Sequence, residues 1–263
     1  TNKTKKIIHV REETHIEWIF LMKDFLENND LISNELDERV KSRCNGKQYS
    51  LSEHLYGLIG ALLTNQRPWI GIKPHLDEID KIFYDYDVEK IKSTSGDYFT
   101  EALLAIKCGN RNIKSQMDNL NTNISMMEKI EKEFGSMDAF VTSAPAYEIV
   151  KKLSDYNSEY KLKNVEVALA WEYLRNVGID GAKPDVHLCR FLGGDRMGSN
   201  NQTPATAQEV YDTVSDLSQK SDLSMVAIDG FIWTYCADGF GKICSAVPQC
   251  NRCVIKSYCK KAQ

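Results

Sequence analysis

Apolar residues recur along this chain at intervals of three and four, the spacing of one face of a helix. The pattern predicts a helix over about 12–27, with Ile16, Ile19, Phe20 and Leu26 on its buried stripe. The strongest segment is 51–63, where Leu51, Leu55, Leu58, Ile59, Leu62 and Leu63 fit the i, i+3, i+4, i+7 template. Leu76, Ile79, Ile82 and Phe83 mark another helix, and more are predicted near 99–107, 113–117, 125–134, 137–141 and 146–153. Later, Ala207, Val210, Tyr211, Val214 and Leu217 mark a helix, and 222–236 reads as the next. No sustained period-two segment is bounded by hairpin turns, so the expected fold is all-α, with about ten to twelve helices.

The stretch 162–191 carries the most information. A turn at Lys163, Asn164, Val165 and Glu166 leads into an amphipathic helix predicted over 167–176. Gly178 and Gly181 then mark a loop, and Pro184-Asp185 opens another helix. A carboxylate at that position accepts backbone N–H groups and sits at the positive end of the helix dipole. An ordinary N-cap aspartate does the same, so Asp185 alone does not name a chemistry.

The chain has 263 residues, 42% apolar and 27% charged, enough for one large domain or two of ordinary size. No apolar run approaches the ~20 residues of a membrane span. The basic segment Thr1 to Lys6 is not followed by a long apolar stretch, so no secretory signal is expected and the protein reads as intracellular, cytoplasmic and nucleoid-associated if prokaryotic. Net charge is −4, which opposes nucleic-acid binding as a bulk property but is compatible with a local basic face. Four of the eight cysteines, Cys244, Cys250, Cys253 and Cys259, form a C-x5-C-x2-C-x5-C tail. Without a secretory signal this crowding favours a metal over disulfides. Four thiolates suit either a [4Fe–4S] cluster or tetrahedral zinc, and spacing leaves both open. Cys44, Cys108, Cys189 and Cys236 read as structural thiols, Cys189 and Cys236 buried on helices.

The order of hairpin, helix, loop and Pro184-Asp185-Val186-His187, together with this tail, resembles the helix-hairpin-helix glycosylase superfamily, in particular its endonuclease III branch. The resemblance implies two helical domains with a central cleft. A six-helix barrel with the hairpin would occupy 48–177, a second domain 1–47 with 178–263, and Asp185 would lie at the floor of the cleft. The family's tail, C-x6-C-x2-C-x5-C, holds a [4Fe–4S] cluster. This chain is one residue shorter in the first gap, and the resemblance implies the cluster, with zinc the alternative. Family members usually carry basic residues in the first cysteine loop, whereas 245–249 here has no positive charge, so the cluster is expected to staple the fold rather than to touch DNA.

The segment 58–69 resembles the family's L-x-x-x-L-L-S-x-Q stretch, which puts Gln66 where a glutamine fills the space left by an extruded base. A polar helix end is the plain alternative. Arg67 would meet phosphate and Trp69 would stack on a base, or they are a surface charge and a packing aromatic. The hairpin consensus L-P-G-V-G-x-[K or other]-T-A is matched by Leu162 through Ala170 without its glycines. Lys163, Asn164, Val165 and Glu166 would approach DNA, Asn164 tolerating a left-handed backbone, Glu166 suiting neither that backbone nor a phosphate. The position of the lysine that attacks C1′ in bifunctional members falls on Val167 or Ala168, neither of them a nucleophile, with Lys161 and Lys163 the nearest amines.

The resemblance therefore implies a monofunctional glycosylase acting on a damaged, modified or mispaired base in double-stranded DNA, as a monomer, with Asp185 stabilising positive charge at C1′ and positioning water. His187, two residues into the helix, is expected to pack or hydrogen-bond rather than to catalyse, and it counts among the DNA-binding residues. Arg175, Lys183 and Arg190 with Lys163 would form a local basic rim or, equally, a solvated surface, and Glu53, His54, Tyr56 and Trp69 are candidates to meet the base. A non-catalytic DNA binder of the same fold, or a lyase using another lysine, are the alternatives.

Overall fold

The computed structural model describes residues 15–263. Among them it shows fifteen α-helices and no strand, so the fold is all-α. In chain order these are α1 (Glu17–Asn28), α2 (Glu35–Cys44), α3 (Leu51–Leu63), α4 (Trp69–Ile72), α5 (Leu76–Ile82), α6 (Val88–Lys92), α7 (Gly96–Ala105) and α8 (Ile113–Asp118). There follow α9 (Leu120–Phe134), α10 (Met137–Val141), α11 (Ala146–Ser154), α12 (Val167–Asn176), α13 (Val186–Phe191), α14 (Ala207–Ser221) and α15 (Met225–Cys236). None of these helices is long and apolar enough to cross a membrane.

The number exceeds the ten to twelve expected because α2, α4 and α6 bury one side chain each, too few to write a periodic stripe. Of the first predicted helix, positions 12–14 lie outside the described residues. The rest forms α1, but its buried stripe is Trp18, Ile19, Met22 and Leu26, and Phe20 is exposed. The expected helix over 222–236 begins only at Met225, because Asp222 takes a left-handed backbone (φ 58°) that ends α14 and Ser224 caps α15 through Ala227 N–H.

Buried side chains gather in two clusters. One is built by α3 to α12, from Tyr49 to Val177. The other joins α1 to α13, α14, α15 and the tail, from Trp18 through Phe191 and Tyr235 to Ile255. Within the first, α3 and α12 cross closely: a Cβ at Gly57 would stand 3.1 Å from Val177 Cγ1 and 3.3 Å from Asn176 Cβ. Helix α2 straps the two clusters together. Its Arg43 donates to both Asp138 oxygens (2.8 and 3.1 Å) and to Val177 O, while its Asp37 accepts from Ser224 Oγ at 2.6 Å.

Candidate active site

The hairpin is anchored from below. Leu162 and Val165 are fully buried, and Leu162 N–H donates to Leu153 O at 3.0 Å. The Asn123 carboxamide pairs with the Lys163 backbone, accepting its N–H at 2.6 Å and donating to its carbonyl at 3.0 Å. Asn164 is left-handed (φ 62°) and its side chain bridges Asn119 and Ser115, both at 3.0 Å. The expected conflict at Glu166 does not arise, since Glu166 is extended (φ −93°, ψ 179°) and is the N-cap residue of α12. Its carboxylate accepts from Tyr156 OH at 3.0 Å and lies 3.6 Å from Lys161 Nζ, so its charge is countered on the spot. The Lys161 ammonium also donates to Val165 O.

From α12 the chain passes through a loop that lies flat on the same helix. At Gly181 a Cβ would meet the Trp171 ring at 2.3 Å, which no side chain survives. Asp180 accepts the N–H groups of Met225 and Val226 (3.1 and 2.9 Å), tying the loop to the start of α15. Asp229, nearly fully buried on α15, accepts the Lys183 backbone N–H at 2.6 Å and faces Arg175 Nη1 at 3.3 Å. The loop therefore delivers Asp185 to a fixed place.

Asp185 is the N-cap of α13, with Oδ1 accepting from His187 N–H (2.9 Å) and Leu188 N–H (3.0 Å). Its Oδ2 has no partner among the described residues. His187 lies edge-on to Trp233, its Nδ1 buried without a hydrogen-bond partner, and burial holds its imidazole below the ordinary range. Val186, next to Asp185, is exposed.

Behind Asp185 stands a charged layer that motif reading missed. Glu172 Oε2 is 3.2 Å from Lys183 Nζ and 3.6 Å from Arg175 Nη1. Burial pushes the Glu172 carboxyl up, and the charges of Lys183 and Arg175 outweigh it and hold it below the ordinary range. Burial dominates at Asp229 and pushes its carboxyl up to about 7, against the pull of Arg175. The expected basic rim is thus corrected: Arg175 is buried between two carboxylates, and Lys183 is paired with Glu172. A lone acid inside the apolar run of α15 was the readable sign of Asp229.

Ala168, Glu172 and Asn176, four residues apart, are the part of α12 beyond its first residue that stays unburied. At the Asn176 end the stripe reaches an open pocket of about 370 Å³ lined by Arg39, Ser42, Tyr49, Glu53 and Tyr56. Glu53 closes the capping box of α3 with Ser50 and lies 2.9 Å from Lys47. His54 does not reach this space: it is fully buried, its ring nitrogens against Tyr173 OH (2.6 Å) and Asp138 Oδ1 (3.0 Å). Trp69 opens α4 and packs on the first cluster. Gln66 is exposed with a left-handed backbone (φ 53°), two residues past the Thr64 cap of α3. Arg67 uses its guanidinium on the carbonyls of Gly109 (3.0 Å) and Lys107.

The four tail cysteines line one cavity, with Arg196, Ile243 and Pro248 among its other walls. Arg196, itself buried, donates to Cys244 Sγ and Ser245 O, each at 3.0 Å, and Tyr235 OH lies 3.3 Å from Cys253 Sγ. The Cys236 thiol, and then Arg196, hold the Cys244 thiol down to about 6 against burial. These donors favour thiolates, the state in which sulfur holds a cluster. Among the described residues no three His, Cys, Asp or Glu side chains are grouped as for a single ion. Cys236 is buried as expected, whereas Cys189 is only half-buried.

No family model matches this chain, and no curated protein does. Among solved structures it is similar to that of a Methanocaldococcus jannaschii 8-oxoguanine glycosylase/lyase in complex with a 15mer DNA containing 8-oxoguanine. The TM-score is 0.56 at 18% identity, covering 85% of this chain and 98% of that one. At that identity the likeness establishes a shared helical fold.

Proposed function

We propose that this protein is a base-excision DNA glycosylase of the helix-hairpin-helix superfamily, and that it hydrolyses the N-glycosidic bond without cutting the strand. The observation that carries the reading is Asp185. One carboxylate oxygen is bound by two backbone N–H groups while the other has no protein partner, at the end of a loop stapled by Asp229 and Asp180. The fold it shares with a glycosylase/lyase solved on lesion-bearing DNA supports the same class.

In this reading a base is extruded from the duplex and its C1′ comes to Asp185 Oδ2. As the C1′–N bond lengthens, positive charge grows on the sugar and the carboxylate stabilises it. The C1′–N bond breaks with its electron pair leaving on the base, which takes a proton from solvent; water adds to C1′ and passes its proton to Asp185, leaving an abasic site. Val167 and Ala168 bring no amine to the start of α12, Lys161 is tied to Glu166 and Val165 O, and Lys183 is paired with Glu172, so no lysine stands at the family's nucleophile position. That favours the hydrolytic over the lyase subtype.

The hairpin 163–166 and Gln66 would meet DNA, Gln66 as the wedge, with Arg67 stapling its loop and His187 supporting the Asp185 turn. The barrel would span 48–177 and the second domain the flanking segments. Cys244, Cys250, Cys253 and Cys259 would hold a [4Fe–4S] cluster, zinc being the alternative, as a structural staple that supplies no step of the reaction. A monomer acting inside the cell completes it.

The test is base release from duplexes each holding one modified or mispaired base, read by mass spectrometry with and without alkaline strand cleavage. Asp185→Asn keeps the cap and removes the charge, so base release is expected to fall at least about 100-fold with folding intact. Undiminished release by that variant would sink the mechanism.

A further inference from the structure

We propose that Glu172 and Lys183 form the base-reading pair of this site, selecting a leaving base that presents N–H beside C=O. The inference rests on the glycosylase reading above and adds its substrate class.

Position comes first. A helix rises about 1.5 Å per residue, so Glu172 lies about 6 Å along α12 from Ala168 and the hairpin end. Lys183 is two residues before Asp185 in a tight turn, the Asp185 N–H donating to the Lys183 carbonyl at 2.9 Å, so the two backbones stand closer than the ~7 Å of two extended residues. The pair thus lies beside the turn that presents the carboxylate meeting C1′, with Glu172 on the unburied stripe of α12. A base joined to that C1′ has this wall to face.

Unused hydrogen-bonding capacity comes second. The Glu172 and Lys183 side chains are 17% and 16% exposed, mostly withdrawn from water yet open on one side. Glu172 Oε2 serves both Lys183 and Arg175, while Oε1 has no partner among the described residues. Lys183 Nζ has Glu172 as its one partner there, although an ammonium carries three donors. Half-satisfied groups in a low-dielectric wall are costly, and a ligand that completes them recovers that cost. The pair is not needed to fasten the loop, which Asp229, Asp180 and the Gly181–Trp171 contact already hold.

Chemistry selects the edge. The carboxylate accepts the base N–H, and the ammonium donates to the adjacent carbonyl. When the C1′–N bond breaks, its electron pair leaves on the base, and in a base of this lactam type the negative charge spreads onto the carbonyl oxygen. Lys183 faces that oxygen and stabilises the departing anion, which afterwards takes a proton from water. Adenine carries no such oxygen, and cytosine has a C2 carbonyl but an unprotonated N3 beside it, so neither presents N–H next to C=O; each gains most from protonation on a ring nitrogen, which an ammonium alongside opposes.

The test uses the full chain and duplexes whose target nucleotide carries a 2′-fluoro group that blocks cleavage. The bases are 8-oxoguanine, uracil and hypoxanthine against adenine and 5-methylcytosine, with an abasic analogue as reference. The wild type is expected to bind at least one lactam base about tenfold more tightly than the amino bases. Glu172→Gln and Lys183→Met are expected to erase that preference while binding the abasic duplex equally well and unfolding at similar temperature. No preference in the wild type, or equal loss for every base and the abasic duplex, overturns the inference. So does borohydride trapping of abasic DNA on Lys183, which would make it a nucleophile. Base release from the cleavable duplexes reports separately on the glycosylase reading: Asp185-dependent release without lactam preference leaves that reading standing and removes this one.

Discussion

Asp229 on α15 accepts the backbone N–H of Lys183 at 2.6 Å, so a buried acid of one helix sets the loop that presents Asp185 two residues later. The same carboxylate faces Arg175 of α12. One side chain thereby couples the two core clusters at the site.

The Asp229 carboxyl, pushed up to about 7 by burial against an ordinary 3.8, holds its proton more tightly in the folded than in the unfolded chain. Its contribution to stability is therefore greatest below the ordinary carboxyl range and falls as pH rises through about 7. Asp229→Asn is expected to remove that slope from melting temperature plotted against pH.

Asp138 behaves oppositely. Burial pushes its carboxyl up, but hydrogen bonds from His54 and Arg43 outweigh it and hold the group well below the ordinary range. Its stabilisation is present at neutral pH and lost as pH falls below the ordinary carboxyl range. Chemical denaturation at pH 7 and at pH 3 should show Asp138→Asn destabilised relative to wild type at both, and less so at the second.

Asn164 sits at φ 62° in the hairpin. Asn164→Val should destabilise by about 1–2 kcal/mol or more, because a β-branched residue resists the left-handed region. Asn164→Gly relieves the backbone but forfeits the bridge to Asn119 and Ser115. Melting temperatures are expected to rank wild type, then glycine, then valine, with DNA affinity in the same order.

Arg196 donates to Cys244 Sγ, a sulfur of the proposed cluster. Arg196→Met is expected to weaken cofactor retention, and Cys253→Ser to abolish it. Iron, acid-labile sulfide and zinc analysis of the purified protein checks both; zinc in place of iron would exchange the cluster for the alternative.

Much of this molecule was legible along the chain. The all-α class follows from apolar spacing, and α3, α10 and α12 start and stop where their stripes do. The cap role of Asp185 and the turn before α12 are likewise local, since each depends on backbone N–H groups or a φ angle within three residues. Three things were not local. The buried face of α1 was decided by what packs on it, which turned Phe20 outward and Trp18 inward. His54 looked like site chemistry, but its partners are 84 and 119 residues away and pull it into the core. The Glu172–Lys183–Arg175–Asp229 layer joins α12, the following loop and α15, and only their packing decides whether four charges neutralise one another or line a surface. Sequence by itself determined which helices form and where Asp185 is capped, because those forces act within a turn of chain. Tertiary structure alone decided what surrounds Asp185, because desolvation and charge pairing depend on distances that chain order does not set.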